Sequence, residues 1–386
     1  MTGAPTVYLD HAATTPLRPE ARVALAEWSD GVRGNPSGAH HLARAARRAL
    51  DDARDVLAEA LGAGPGDIVF TAGGTEADNL ALFGVAESAA GGQARVACSA
   101  VEHHAVLEPV HRLGGVVLPV DGSGRVDPAT VAGLVPADTA VVSVMLANNE
   151  VGTVNPIAGL AAAVREATDG RAVFHTDAVA AFPWLDVARL AAAADLISVS
   201  AHKFGGPQGV GVLVVRPGVP LRPRLLGGGQ ERDRRSGTQN VAGIVAMAAA
   251  AAATVAGRPD TVQRVGALRD RFVDRLRVAV GDVDETVPDR GAKVAGNAHL
   301  CIGGVVSEEL LFLLDHGGVC ASAASSCASG AIQLSHVLAA MGVNRERGGG
   351  AVRFSLGWCS TEADVDAAVE VVAAAVCRLR AARGRR

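Results

Sequence analysis

Lys203, in the stretch SVSAHKFGG of residues 198–206, is one of only two lysines among the 36 basic residues of this chain. An arginine keeps its proton near neutral pH, whereas a lysine amine becomes a neutral nucleophile when its surroundings lower its pKa. A lysine in a chain that otherwise uses arginine therefore indicates a need for an amine that attacks a carbonyl carbon. An ordinary surface lysine is the alternative.

A glycine turn offers a site for an anion. Gly73, Gly74 and Thr75 lie between a predicted strand and a predicted helix, where free backbone N–H groups and the threonine hydroxyl can hold a phosphate. Ser200, three residues before Lys203, offers a second hydroxyl. A glycine turn capped by threonine is also a common structural feature, so this pattern alone leaves both interpretations open.

Asp177 ends the apolar run AVFHTDA, where a carboxylate needs a cationic partner to offset its desolvation. A protonated pyridine nitrogen would be such a partner, and a nearby arginine is the alternative. An anion cradle, a carboxylate for a ring nitrogen and a reactive lysine are together what pyridoxal 5'-phosphate (PLP) requires. The three patterns therefore predict a PLP site.

The stretch CASAASSCASGA, residues 320–331, is too small and polar to pack in a core. It predicts a loop that presents Cys327 as a thiol able to move between two positions, and an incidental surface cysteine is the alternative. Cys320 follows an apolar segment and is expected to be buried and unreactive. The histidine pairs at positions 40–41 and 103–104 have neither nearby zinc-spaced cysteines nor an HExxH pattern, so no metal site is predicted.

Short strand-like runs alternate with helical patterns through the first two thirds of the chain, which predicts an α/β fold with a mainly parallel sheet. Ligands bind at the carboxyl ends of the strands in such sheets. This rule groups the residues that follow the predicted strands. They are residues 73–75, 102–104, 148–150, 177 and 200–203.

The pattern changes after the alanine-rich run of residues 241–257, so we place a domain boundary near Gly257. A large domain would span residues 16–257. Residues 1–15 and 258–386 would form a smaller α+β domain that carries the loop of Cys327. The alanine-rich run is slightly short for a membrane span, and a buried helix is the better interpretation.

The composition narrows the classes of function. A net charge of -4 and a sequence pI near 6.3 argue against a nucleic-acid platform, although the terminal RLRAARGRR is locally basic. The six cysteines lack CxxC spacing, and the N-terminal residues lack the pattern of a signal peptide. These features favour a protein of the reducing cytoplasm with free thiols.

A series of motifs from Tyr8 to about Gly357 resembles the cysteine desulfurases, a branch of the fold-type I PLP enzymes related to class V aminotransferases. The motifs are YLDHAATTP, GNPSGAH, FTAGGTEADNLAL, EHHAVL, NNEVGTVNPI, HTDAV, SVSAHKFGGPQGVGVL, RSGT and RFSLG. The resemblance implies a fold-type I transferase with a large PLP-binding domain and a smaller domain.

The resemblance also implies roles for single residues. Lys203 would bind the cofactor covalently, Asp177 would bind its ring nitrogen, and His103 would stack on the ring and assist proton transfer. Asn149 is similar to the asparagine that contacts the ring. The implied phosphate ligands are Gly74, Thr75, Ser200 and His202, with Thr238 reaching the phosphate of a partner subunit. Arg353 and Asn35 resemble the clamp for the substrate carboxylate.

The implied reaction converts L-cysteine to L-alanine. Lys203 would remove the Cα proton, and the thiolate of Cys327 would attack the substrate sulfur and keep it as a persulfide. The implied partners are a second subunit in a homodimer and a sulfur-acceptor protein. The acceptor would serve iron–sulfur assembly, tRNA thiolation or DNA phosphorothioation, with neither a membrane nor direct nucleic-acid binding expected.

Three residues or segments depart from the family pattern. Ala180 stands where a glutamine usually donates to the cofactor. The loop around Cys327 has the sequence SSCASG, which differs from the usual pattern. Leu334 replaces a usual proline. A selenocysteine lyase or a class V aminotransferase is the alternative within the same fold. A non-catalytic docking scaffold or DNA-associated component that uses the basic tail is the alternative from another class.

Overall fold

A computed structural model describes residues 6–89, 94–323 and 334–384. The strands are β1 Val7–Tyr8, β2 Ile68–Thr71, β3 Arg95–Ser99, β4 Val116–Leu118, β5 Thr139–Ser143, β6 Val173–Asp177, β7 Leu196–Ser200, β8 Gly211–Val215, β9 Val283–Glu285, β10 Asn297–Ile302, β11 Val319–Cys320 and β12 Ala351–Ser355. The α-helices are α1 Pro19–Ser29, α2 His41–Ala60, α3 Gly74–Ala86, α4 His104–Arg112, α5 Pro128–Leu134, α6 Ile157–Ala167, α7 Val187–Leu190, α8 Val241–Val280, α9 Ser307–His316, α10 His336–Ala340, α11 Arg345–Gly348 and α12 Glu362–Arg383.

Seven strands form the central sheet in the order β2-β8-β7-β6-β5-β3-β4. Strands β3 to β7 all run parallel to one another, while β8 runs antiparallel to both β7 and β2. Every residue of β6, β7 and β8 is buried, as strands covered on both faces require. The predicted α/β fold with a mainly parallel sheet is confirmed.

The reversed direction of β8 follows from its short connection to β7. Only residues 201–210 lie between the two strands, and a crossover that returns the chain parallel needs a dozen or more residues. The chain therefore turns back at the carboxyl edge of the sheet. Because Lys203 lies in this connection, the turn holds it at that edge.

A second, smaller unit surrounds the antiparallel sheet β12-β10-β9, and β1 pairs with β11 beside it. Helix α8 joins the two units without a break. Its first half contributes Ile244 and Met247 to the apolar core of the central sheet. Its second half contributes Val265 and Phe272 to the core of the smaller unit.

The predicted boundary near Gly257 therefore lies inside one continuous helix. Along this helix, the change from one apolar core to the other occurs between Thr254 and Val265. A domain division near Gly257 is compatible with this change. The exact limits of the two domains stay a prediction.

Helix α8 is also the one helix of the described residues that is long and apolar enough to cross a membrane by length and composition. Its alanine-rich half packs against α1 and α2, and residues such as Ala246 and Ala250 are fully buried there. This packing is that of a core helix.

Candidate active site

A cavity of about 250 Å³ opens at the carboxyl edge of the central sheet. Its lining residues are Gly74, Thr75, Asp78, His103, Met145, Asn149, Asp177, Val179, Ala180, Ser200, His202 and Lys203. The strand-end rule thus brings together eight predicted site residues that are dispersed over more than a hundred positions of the chain.

The amine of Lys203 lies in a hydrogen-bonded pocket at one side of the cavity. Its Nζ donates to the carbonyl oxygens of Ala12 at 2.5 Å and Ala13 at 2.9 Å. Burial, together with the positive charge of Arg353, lowers the pKa of Lys203 to about 8, although the carboxylate of Asp177 opposes this change. A lysine with this pKa is partly neutral at physiological pH and can act as a nucleophile or a base.

Asp177 lies at the end of β6 and is almost fully buried. Its Oδ1 accepts a hydrogen bond from the backbone N–H of Val179 at 2.7 Å. Burial raises the pKa of Asp177 to about 6, and the Lys203 ammonium opposes the rise. No arginine forms an ion pair with Asp177 within residues 6–89, 94–323 and 334–384. The carboxylate is therefore available to a cation in the cavity.

The turn before α3 forms a tight cradle of backbone. Gly73 has φ +152, a conformation that favours glycine, and a Cβ at Gly74 would lie 2.9 Å from Cγ2 of Val179. A Cβ at Gly211, on β8, would lie 2.8 Å from the backbone of Gly73. Because α3 starts here, its first N–H groups and the Thr75 hydroxyl face an anion that enters along the helix axis.

His202 and Ser200 complete the polar wall near this cradle. Nδ1 of His202 lies 3.2 Å from the hydroxyl of Thr14. Burial and the nearby Lys203 charge lower the pKa of His202 to about 4, so its ring is neutral at pH 7. A neutral ring with Nδ1 engaged can carry its proton on Nε2 and donate it to a phosphate oxygen.

His103 caps α4, and its Nδ1 accepts the backbone N–H of Ala105 at 3.1 Å. This bond fixes the neutral tautomer with the proton on Nε2. Burial in the cleft lowers the pKa of His103 to about 4, and the positive charge of Lys203 contributes to this decrease. His103 is nevertheless exposed and lines the cavity, so its neutral ring can contact a planar ligand there.

Arg353, on β12, lies beside the cavity and is buried. Nη2 pairs with Oδ1 of Asp10 at 2.9 Å, and Nη1 donates to the carbonyl oxygen of Asn149 at 3.0 Å. Its Nε has no hydrogen-bond partner among the described residues. A guanidinium in this state retains the capacity to bind a carboxylate. Asp10 was not predicted as a site residue, although the motif YLDHAATTP contains it.

Besides Arg353, two predicted residues of the described chain, Asn35 and Thr238, do not line the cavity. Asn35 lies on an exposed turn, where its Oδ1 accepts the N–H of Ser37 at 2.9 Å. Thr238 is exposed in the segment between β8 and α8. Cys327 lies outside the described residues. Cys320, expected to be buried, is only partly so, because it stands in the two-residue strand β11.

Two of the departures from the family pattern have a structural setting. Ala180 lines the cavity and carries no donor that could replace the side chain of a glutamine. Leu334 packs against the apolar cluster that includes Val337 and Leu338. The leucine is thus used as a packing residue at the point where the described chain resumes.

Asp78 is a cavity residue that the sequence reasoning missed, although the quoted motif FTAGGTEADNLAL contains it. It is fully buried on α3, and burial together with the negative charge of Asp177 raises its pKa well above the usual range. The nearby His175 cannot supply a positive charge, because burial lowers its pKa to about 3. The ring nitrogens of His175 instead meet the hydroxyls of Ser143 at 2.8 Å and Ser198 at 2.9 Å.

No group of three or more metal-ligating side chains occurs in the part of the chain that the structure describes. A family model described as aminotransferase class-V matches residues 7–368. The chain belongs to the class V aminotransferase family.

Its curated relatives carry cysteine desulfurase names, and its structural neighbours include a NifS-like protein and DndA. An IscS-like cysteine desulfurase of Mycobacterium tuberculosis is 44% identical over 97% of both chains. A solved structure of a NifS-like protein has a TM-score of 0.89 and 33% identity over 96% of this chain and 98% of its own. The crystal structure of DndA from Streptomyces lividans has a TM-score of 0.75 and 33% identity over 90% of this chain and 99% of its own. This class V protein is a cysteine desulfurase, and enzymes of this group depend on PLP.

The cavity of this desulfurase fits PLP. The buried Asp177 forms no ion pair with an arginine among the described residues, and it suits the protonated ring nitrogen. The glycine cradle before α3, in which a side chain at position 74 would collide with Val179, suits the phosphate. The amine of Lys203 belongs to the same cavity lining and suits the aldehyde carbon.

Proposed function

We propose that this desulfurase removes the sulfur of L-cysteine in the cavity around Lys203, holds it as a persulfide on Cys327 and releases L-alanine. The observation that carries the proposal is the pKa of Lys203, which burial lowers to about 8 between a buried carboxylate and a buried arginine. A lysine in this setting serves covalent and base chemistry better than it serves stability.

The residues that would hold PLP are Asp177 for the ring nitrogen, His103 and Asn149 for the ring, and Lys203 for the aldehyde carbon. The phosphate ligands would be Gly74, Thr75, Ser200 and His202. Bound PLP supplies an electron sink that weakens the Cα–H bond of an amino acid. Side chains of the protein would supply the proton transfer, the binding of the substrate carboxylate and the attack on the substrate sulfur.

Lys203 would accept the Cα proton at Nζ. The fall in its pKa makes the neutral amine accessible, and the carboxylate of Asp177 stabilises the ammonium that forms. His103 assists by donating from Nε2, since its Nδ1 is occupied by a backbone N–H. Lys203 is close enough to His103 for its positive charge to lower the pKa of the histidine.

Arg353 would bind the carboxylate of the substrate. A carboxylate of L-cysteine could replace that of Asp10, which now occupies Nη2 of the guanidinium. Asn35 is proposed as a second contact that depends on a change in its exposed turn. The exchange of one carboxylate for another conserves the charge of the site, which limits the desolvation cost of binding.

Cys327 is proposed as the sulfur acceptor within the chain. Its thiolate would attack the sulfur of the substrate, so that a new S–S bond forms and the Cβ–S bond breaks. The electron pair stays on the substrate carbon and is later protonated to give alanine. The described residues on either side of its segment support this role, since the backbone of Ser322 pairs with Arg353 and the hydroxyl of Ser335 donates to Glu150 at 2.7 Å.

A homodimer with shared active sites is part of the proposal. Asn35 and Thr238, the implied contacts outside the cavity, are both exposed. The nearby Val32 is 80% exposed and Leu226 is 83% exposed, so these segments present apolar surface that a second subunit would cover. We also propose that the enzyme acts in the cytoplasm.

The sulfur acceptor would be a protein of iron–sulfur assembly, tRNA thiolation or DNA phosphorothioation. Direct binding of nucleic acid through the basic tail has little support. Arg380 donates to the carbonyl oxygen of Gly303, and Arg383 pairs with Glu309 at 3.2 Å. These contacts use part of the charge of the tail inside the chain. Transfer of ³⁵S from cysteine to purified candidate acceptors would distinguish the three routes.

The proposal is tested with Cys327→Ser and the unchanged enzyme, both loaded with PLP. The unchanged enzyme should give equal amounts of alanine and persulfide sulfur from cysteine, while the variant should keep its yellow colour and form no persulfide. Pyruvate or glutamate as the main product would instead indicate an aminotransferase. A strong preference for selenocysteine would indicate the lyase. Full persulfide formation by the variant would contradict the role of Cys327.

A further inference from the structure

Glu76 places a negative charge beside the predicted phosphate cradle. It lies in the first turn of α3, and its Oε2 accepts the backbone N–H of Ala72 at 2.7 Å. The same side chain lines an open cavity together with Thr75, Ser200 and His202. A carboxylate here stabilises the helix N-terminus, but it would repel an incoming phosphate.

Arg235 compensates this charge from a distant part of the chain. Its Nε donates to Oε1 of Glu76 at 2.7 Å, and its Nη2 donates to Oε2 at 3.2 Å. The side chains of Arg235 and Glu76 are 18% and 22% exposed, so solvent screens the pair only in part. The two-pronged geometry is the strong form of an arginine–carboxylate contact.

The segment that carries Arg235 is fixed independently of any ligand. Glu231 is buried and binds Arg54 through two contacts at 2.9 and 3.0 Å, and it also accepts the backbone N–H of Phe70 at 3.0 Å. Glu231, Arg232 and Asp233 all have positive φ, at 49°, 57° and 61°. Three consecutive left-handed residues are unfavourable, so the buried ion pair must hold this conformation.

We propose that Arg235 is a positioning residue, which neutralises Glu76 and thereby keeps the cradle before α3 receptive to the phosphate of PLP. Arg235 needs no contact with the phosphate for this role. The inference rests on the proposed binding of PLP in the cavity. It assigns to the RSGT segment a function inside its own subunit, separate from the role proposed for Thr238.

The test measures the affinity of the apoenzyme for PLP and for pyridoxal, which lacks the phosphate. Arg235→Gln should weaken the binding of PLP about tenfold, since it leaves an uncompensated carboxylate beside the cradle that would hold the dianion. The affinity for pyridoxal should change less than about twofold by the same reasoning. Adding Glu76→Gln to Arg235→Gln should restore the binding of PLP.

Arg234→Gln is the matched control, because it removes the same charge one residue away. Arg234 donates to the carbonyl oxygen of Gly66 at 3.3 Å. This control should bind PLP like the unchanged apoenzyme. Thermal unfolding and size-exclusion chromatography of each variant report on folding and assembly.

Equal weakening of PLP and pyridoxal by Arg235→Gln would overturn the proposal, because the effect would then be structural. Failure of the double variant to regain affinity for PLP would also overturn it, since Arg235 would then act on the phosphate directly. Either result leaves the desulfurase activity of the unchanged enzyme intact. If the unchanged apoenzyme bound no PLP, the proposed function itself would fail.

Discussion

Lys203 of the apoenzyme should titrate near pH 8 and not near the usual value for lysine. With a pKa of about 8, roughly a quarter of the amine is neutral at pH 7.5. An unperturbed lysine would be only about 0.1% neutral at this pH. The site therefore enriches the reactive form by about two-hundredfold, which accounts for much of its readiness to react with an aldehyde.

The scarcity of lysine makes the measurement simple. Competitive labelling of the apoenzyme with trace acetic anhydride, followed by mass spectrometry, gives one peptide for Lys203 and one for Lys293. The reactivity of Lys203 should rise with a midpoint near pH 8 and level off above pH 9. Lys293, whose Nζ pairs with Glu285 at 2.8 Å, serves as an internal reference, and urea-unfolded protein gives the intrinsic rates.

Two charge variants test the cause of the shift. Arg353→Gln should raise the pKa of Lys203, because the arginine charge lowers it, and Asp177→Asn should lower it further. Since the folded pKa lies below the unfolded one, this group makes the apoenzyme more stable as the pH rises from 8 towards 10.5 and has no effect on the slope below 8. A midpoint for Lys203 at or above pH 10 would refute the reasoning.

Three further substitutions test the packing and charge of the site. Arg54→Met should cost about 3–5 kcal/mol in urea unfolding, because it leaves Glu231 buried without a partner, and a smaller loss in a variant that also carries Glu231→Leu would identify the unpaired charge as the cause. Gly74→Ala should reduce retention of PLP, seen as loss of visible absorbance after gel filtration, because its Cβ would lie 2.9 Å from Val179; full retention would contradict the tight cradle. Asp78→Asn should leave the absorption spectrum and its pH dependence unchanged, because burial raises the pKa of Asp78 well above its usual range and so favours the neutral form, and a shifted spectrum would show that it is ionised.

The mainly parallel sheet could be predicted from the sequence, because several buried apolar runs end in a polar residue. The buried strands β3, β5, β6 and β7 each end in serine or aspartate, so their carboxyl ends can be recognised without knowing the strand order. The direction of β8 was not predicted, since it depends on the length of one connection. The continuity of α8 through Gly257 was also missed, because glycine and a nearby proline are typical of a break in a helix.

The parts of the site that the sequence did not predict are contacts between distant residues. Arg353 meets Asp10 across 343 positions, and Arg235 meets Glu76 across 159. Neither pair can be recognised from a periodic pattern in the sequence, because the two partners meet only when the chain folds. The prediction of Lys203 does not depend on contacts between distant residues. A rare residue type at the end of a predicted strand can be recognised from the local sequence alone.

The electrostatics of the cavity explain why its two ends suit one dipolar coenzyme. Asp177 lies near two other buried carboxyl groups, Asp78 and Glu102, and burial raises the pKa of Glu102 to about 8. This end therefore gains from a cation but resists further negative charge. The start of α3 offers N–H groups and the hydroxyl of Thr75, with the neutral His202 beside them, so this end gains from an anion. A ligand with a protonated ring nitrogen at one end and a phosphate at the other satisfies both ends at once. Reversing it would set the phosphate against Asp177, so the charges of the cavity favour the orientation in which the aldehyde carbon would reach Lys203, as proposed above.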